Sequence, residues 1–381
     1  MEFPEFVVHD FPSPTDSISG EPFLFSDESN RIHLSWIEKK NDSSYLNYAV
    51  LENDTWTAST TIASGNSWFV NWADYPVIAS NGKNKMAHYL DKSGDGTYAY
   101  DVKVVLSSDQ GKTWSKSFTL HDDGKQAEHG FVSIVPFQNN FFVSWLDGRN
   151  TRMANDMNHK GHEAHQGAMS VRAAVLDGSG KKVSEWELDN KVCDCCQTSS
   201  AITSNGPIVV YRDRSEEEIR DISIVRLVDG VWTEPKTIYN DNWEIKGCPV
   251  NGPRVVANGN NLAIAWFSAA DNKPQVQIIF STDGGDTFHE PIRIDHGKAI
   301  GRVDVEWRND EQVLASWMEG GEIRLIAVNK NGTKGESMVV ATSSEGRASG
   351  FPQMALYKDE VFIAWTSAEE KKIKMVSVSL K

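Results

Sequence analysis

Val361-Phe-Ile-Ala-Trp365 decides the fold, because six other stretches of the chain repeat its pattern. Its residues are apolar, β-branched or aromatic, which suits a strand covered on both faces. The same kind of run with a closing aromatic occurs at Ile32-His-Leu-Ser-Trp36, Lys85-Met-Ala-His-Tyr89, Phe141-Phe-Val-Ser-Trp145, Ile208-Val-Val-Tyr211, Leu262-Ala-Ile-Ala-Trp266 and Val313-Leu-Ala-Ser-Trp317. The closing aromatic recurs every 48 to 66 residues. A period in that range marks a repeat architecture, in which each unit covers its faces with its neighbours.

Each copy has the same surroundings. A short strand precedes it, as in Tyr75-Pro-Val-Ile-Ala79, Pro253-Arg-Val-Val-Ala257 and Phe351-Pro-Gln-Met-Ala355. A third strand such as Val276-Gln-Ile-Ile-Phe280 and a fourth such as Pro291-Ile-Arg-Ile294 follow. Four short strands per unit of roughly 50 residues read as a propeller blade. No helical periodicity competes with that reading. The seventh copy stops after its third strand, Ile373 to Leu380, and Glu5-Phe-Val-Val-His9 at the other end supplies the missing fourth. Closing the ring this way removes an edge that would otherwise invite aggregation. The expectation is a single all-β domain over residues 1–381, a seven-bladed β-propeller, with six blades as the alternative count.

Composition narrows the function classes. Lys and Arg number 38 against 53 Asp and Glu, a net charge of −15. Such a chain lacks the basic face that replaces phosphate counterions, so no nucleic-acid partner is expected. The 13 Trp, 16 Phe and 9 Tyr are enough for a large core. No apolar run reaches the ~18 residues of a membrane helix, so no membrane span is expected. The chain opens Met1-Glu2-Phe3-Pro4, without a basic or apolar leader. An exported protein shorn of its signal is the favoured reading of location, with a cytoplasmic protein as the other.

Two turns carry a resemblance. Ser107-Ser-Asp109-Gln-Gly111-Lys-Thr113-Trp114 and Ser281-Thr-Asp283-Gly-Gly285-Asp-Thr287-Phe288 both fit S-x-D-x-G-x-T-W/F. Shorter relatives occur at Asp54-Thr-Trp56 and Asp229-Gly-Val-Trp232. The pattern resembles the Asp box of the sialidase-like (neuraminidase-like) propellers, which implies the fold and a structural role for the turn. The catalytic pattern of that family is an arginine triad, a Tyr/Glu nucleophile pair, an Asp acid and a Phe/Tyr-Arg-Ile-Pro motif near the N-terminus. That motif is absent here, and those enzymes have six blades where seven copies are counted. Polysaccharide lyases built on seven-bladed propellers are a second analogy, again without matching residues.

In a propeller the loops between blades and the loops between second and third strands open on one face. On that face the unusual residues collect. Candidates for acid/base work are Asp147, Tyr211, Asp213, Glu244 and Asp304, and for substrate binding Arg149, Arg212, Arg214, Arg254 and Arg302 with Trp72 and Trp243. Several Arg at one mouth offer forks for a carboxylate or sulfate, and Trp can stack on sugar rings. This pattern points to a site that binds or cleaves an acidic carbohydrate, in the manner of a glycosidase.

All four cysteines lie on two adjacent inter-blade loops, at Cys193, Cys195, Cys196 and Cys248. They suit either disulfide staples or a thiolate site for copper or zinc. A long loop adds His159, His162 and His165 flanked by Met, a ligand set for copper. The alternative functions are therefore a metal-binding protein and a non-catalytic propeller that docks a protein partner.

Overall fold

The computed structural model describes residues 2–16, 18–29, 31–153 and 165–381. Seven antiparallel sheets form seven blades in a ring, as the repeat requires. Blade seven shows the closure. Its strands run from the axis outward as Gln353–Tyr357, Glu360–Ser367, Lys372–Leu380 and then Phe6–Phe11. The N-terminal strand pairs from Phe6 opposite Leu380 to Phe11 opposite Met375, so both ends of the chain sit in one sheet.

The repeated aromatics are the reason for the ring. Trp36, Trp145, Tyr211, Trp266 and Trp317 are essentially inaccessible, and Tyr89 and Trp365 are nearly so. Each lies on a second strand, between adjacent blades, where a large side chain fills the wedge between twisted sheets. Burying one such ring removes roughly 200 Å² of surface, worth on the order of 5 kcal/mol. Three of the indole N–H groups find acceptors, Trp145 donating to Asp147 (2.8 Å), Trp266 to Asp241 (2.6 Å) and Trp317 to Glu319 (2.9 Å), whereas that of Trp36 is buried without one. Thus the acidic residue two places after the aromatic in blades three and six anchors the repeat.

The two S-x-D-x-G-x-T turns fold alike. Asp109 accepts from Ser107 Oγ (2.8 Å), Thr113 N–H (2.9 Å) and Thr113 Oγ1 (2.6 Å), and Asp283 repeats the set at 2.7, 2.9 and 2.6 Å. Gly111 takes φ +87°, and a Cβ there would lie 1.9 Å from the Tyr48 hydroxyl. These turns join third to outermost strands, on the face opposite the inter-blade loops. They build the blade and leave the mouth to other residues.

A central channel of about 310 Å³ runs along the innermost strands. Arg254 crosses it. Its guanidinium donates to Asp304 (2.9 Å), to the Tyr75 hydroxyl (3.3 Å) and to Gln353 (3.4 Å), tying blade five to blades two, six and seven. Asp304 also accepts the Met354 N–H at 2.8 Å. No helix among the described residues is long and apolar enough to cross a membrane.

Candidate functional site

The axial mouth is built from loops of five blades, and Tyr98 marks where they meet. It sits on the loop between the second and third strands of blade two, with its ring edge-on to Phe69 at 6.2 Å. Burial raises the pKa of its hydroxyl. Glu128, Cys248 and Cys195 on neighbouring loops add to that rise, while Arg347 opposes it. Those four side chains come from the loops before blades three, five, four and seven. Loops of five blades thus approach one another around Tyr98, and neither Tyr98 nor Glu128 is among the residues singled out from sequence.

Glu128 is buried and accepts a 2.8 Å hydrogen bond from the Tyr100 hydroxyl. Burial pushes its pKa up to about 8, helped by the charges of Asp194 and Asp74. Asp74, also buried, accepts the Phe131 N–H at 2.8 Å, and burial raises its pKa to about 7. Gly130 permits that approach, since a Cβ there would lie 2.2 Å from the Asp74 carboxylate. Two carboxyls at this mouth thus hold their protons near neutrality. Arg347 is exposed, with its guanidinium 5.9 Å from the Trp72 ring.

The cysteines are brought together. Cys193, Cys195 and Cys196 are buried, Cys248 is half-buried, and none is in a disulfide. Cys193 Sγ lies 3.9 Å from Cys195 Sγ and 3.7 Å from Cys196 Sγ, and the Cys248 side chain contacts Cys195. Arg220 donates to Cys193 Sγ at 3.3 Å, and the Asn251 N–H donates to Cys196 Sγ at 3.4 Å. Burial opposes ionisation of all three. At Cys193, hydrogen bonds from its sulfur neighbours and the charges of Arg220 and Arg212 win, and its pKa falls well below the ordinary thiol range. At Cys195 and Cys196 burial prevails and both rise.

Most of the other candidates are already engaged. Arg212 is buried and spends its fork on backbone carbonyls: Arg220 O (2.7 Å), Asn251 O (2.9 Å) and Phe267 O (2.7 Å), beneath the ring of buried Trp243 at 4.9 Å. Arg302 does the same with Gly350 O (2.9 Å), Gly346 O (3.1 Å) and Glu345 O (3.2 Å), under Trp72 at 5.0 Å. With no carboxylate beside it, burial lowers its pKa to about 10. Arg149 clasps buried Asp147 through Nε and Nη2, both at 2.8 Å. Arg214 pairs with Glu218 (2.7 Å) and Asp194 (3.4 Å).

Tyr211 donates to Asp189 at 2.7 Å, and Asp213 accepts from Ser223 (2.9 Å) and the Arg214 N–H (2.7 Å). Glu244 is exposed. With Arg254 and Asp304 inside the channel, the predicted arginines do not assemble into one fork at the mouth. His159 and His162 lie outside the described residues; the backbone at His165 pairs with Met153 in a two-residue strand. A second grouping, Asp123, His129 and Asp147, has Arg149 as its cation.

No protein-family model and no curated protein matches this chain. Solved structures do. A protein of unknown function from Dyadobacter fermentans is 14% identical, with TM-score 0.55 over 100% of this chain and 99% of that one. An α-L-arabinofuranosidase from Fusarium graminearum is 10% identical, with TM-score 0.54 over 98% and 97%. An ulvan lyase bound to a glucuronate–rhamnose 3-sulfate repeat is 13% identical, with TM-score 0.50 over 84% and 81%. At such identities the likeness is one of fold: this chain is a β-propeller.

Proposed function

We propose that the axial mouth binds and cleaves an acidic carbohydrate, in the manner of a glycoside hydrolase. The observation that carries this reading is Glu128, a carboxyl buried in the mouth and held by the Tyr100 hydroxyl at 2.8 Å, where burial pushes its pKa up to about 8; Tyr98 lies between it and exposed Arg347. A protonated carboxyl in a water-poor site is the usual general acid for a glycosidic bond. Arg347 pairs with the uronate or sialate carboxylate, and half-buried Trp72 beneath it offers a ring face to the sugar. Glu128 passes its proton to the leaving glycosidic oxygen while water adds to the anomeric carbon. Asp194, paired with Arg214, takes the water's proton. The arabinofuranosidase and ulvan lyase neighbours make glycan chemistry a natural use of this scaffold, and export would bring it to polysaccharide.

The test is a panel of acidic glycans and aryl uronides or sialosides, read by reducing ends and mass spectrometry. Glu128→Gln is expected to cost at least about 100-fold in kcat with KM little changed. Activity of the parent is expected to fall above pH 8, as the acid loses its proton. Binding without turnover would leave a carbohydrate-recognition propeller. Neither binding nor turnover across the panel would remove the reading.

A further inference from the structure

We propose that Cys193, Cys195, Cys196 and Cys248 hold one thiophilic metal ion, zinc or monovalent copper, in the wall of the axial mouth. Two loops that are distant in sequence deliver all the sulfur of the chain's cysteines to one place, next to an axis shared by seven blades. Sulfurs sharing one ion at bonds of about 2.3 Å stand roughly 3.8 Å apart in a tetrahedron and 4.0 Å apart in a trigonal plane. The observed separations are 3.7 and 3.9 Å, with the three buried sulfurs all within 4.8 Å of one another. Cys248 touches Cys195 but stands outside that group of three, so a turn of its half-buried side chain brings in the fourth sulfur.

The surroundings are those of anionic sulfur. A guanidinium almost fully withdrawn from water, that of Arg220, points Nη1 at Cys193 Sγ, and its Nε has no acceptor at all. Glu218 holds the other end of this guanidinium, through Nη2 at 2.8 Å, which fixes Nη1 on the sulfur, where a metal-bound thiolate is a better acceptor than a neutral thiol. The backbone N–H of Asn251 adds a second N–H···S contact, on Cys196. Such outer contacts orient thiolates and offset their charge in metal sites. Four thiolates on zinc, or three on monovalent copper, leave a charge of −2, and Arg220 is the cation in direct contact with that sulfur cluster. All-sulfur ligation selects soft ions and excludes magnesium, calcium and manganese.

Binding proceeds with loss of the thiol protons to solvent and without electron transfer. This site is chemically distinct from the glycan reading, because Glu128 is no ligand and the cysteines take no part in proton transfer to sugar, although Asp194 stands between Cys193 and Cys195. The experiment is elemental mass spectrometry on the full chain purified without chelator, then loading with zinc or with monovalent copper under reductant, with manganese as control. About one zinc or copper per chain is expected, with the four thiols unreactive until a strong chelator releases the ion. Cys248→Ser, at the half-exposed ligand, is expected to weaken retention at least about 10-fold against a competing chelator while the fold is kept. Glu128→Gln is expected to hold metal as the parent does. Four freely reactive thiols after loading would overturn the proposal, as would a mass 2 or 4 Da low from disulfides, about 1 Da per lost hydrogen.

Discussion

Arg212 and Arg302 show how much a side chain's destination matters. Both stand where a substrate carboxylate was expected to find them, and both are consumed by backbone carbonyl oxygens of neighbouring blades and the loops leading into them. An arginine used in this way tapes loops together, since its five donors satisfy carbonyls that strand ends leave open. Arg254 is different because its main partner is charged. Asp304→Asn is expected to cost about 3–5 kcal/mol, as it leaves a guanidinium enclosed in the channel without its anion. Replacing both partners, Arg254→Met with Asp304→Leu, is expected to recover most of that loss. Denaturant midpoints of the three variants check this; equal losses in the single and double variants would show that the pair's charge is not what holds the channel. Sequence put these residues on the loops and strands around the axis but could not say whom they would bond, because carbonyl acceptors carry no residue signature. Tyr98 and Glu128 escaped notice for a related reason. Nothing in their local sequence reveals a burial that only the ring creates.

The closing strand is the element on which the ring depends. Phe6–Phe11 is the outermost strand of blade seven and covers the edge of Lys372–Leu380 through a six-residue register. Phe11 packs edge-on against Phe362 at 4.9 Å, and Trp56 of blade one donates to Pro12 O at 3.0 Å. Removing residues 1–11 would therefore bare a long alternating edge strand and open the seam between blades seven and one. A truncated chain is expected to unfold at a temperature lower by about 10 °C or more and to associate. Scanning calorimetry with light scattering checks it, and a monomer of unchanged stability would show that the ring closes by other contacts. This strand was legible in sequence because a four-strand unit with one member missing demands a donor, and Glu5-Phe-Val-Val-His9 was the unassigned β-rich run. The outer strands of blades one and four were less so. Each is split into two short pieces, Thr55–Trp56 with Thr60–Gly65, and Val231–Trp232 with Lys236–Thr237. Turn residues interrupt the strand pattern there, so periodicity finds the blade but not its outer border.

Across the whole molecule, the propeller surrounds its axis with carboxyls that folding withdraws from water. Burial raises Glu21 and Asp74 to about 7 and Glu128 and Glu306 to about 8. A carboxyl whose folded pKa exceeds its unfolded value contributes stability that is complete below pH ~4 and lost as pH rises through the folded pKa. His88 works the other way. Burial lowers it to about 3, so its contribution is present above pH 6.5 and fades as pH falls toward 3. Between pH 4 and 6.5 the two effects oppose each other, whereas between 6.5 and 8.5 the carboxyls act without opposition from His88. Four carboxyls outweigh one histidine, so stability is expected to be greatest near pH 4–5 and to decline toward pH 8.5, by up to about 1.4 kcal/mol per pH unit for each proton released. Acidic net charge pushes in the same direction, because −15 becomes more negative as those protons leave. Urea unfolding at pH 5.5, 7 and 8.5 measures the slope, and Glu306→Gln is expected to flatten it without touching the mouth. A stability that rises across that interval would mean that the axial carboxyls are ionised in the folded chain, and with them Glu128, which would then have no proton to give a glycosidic oxygen.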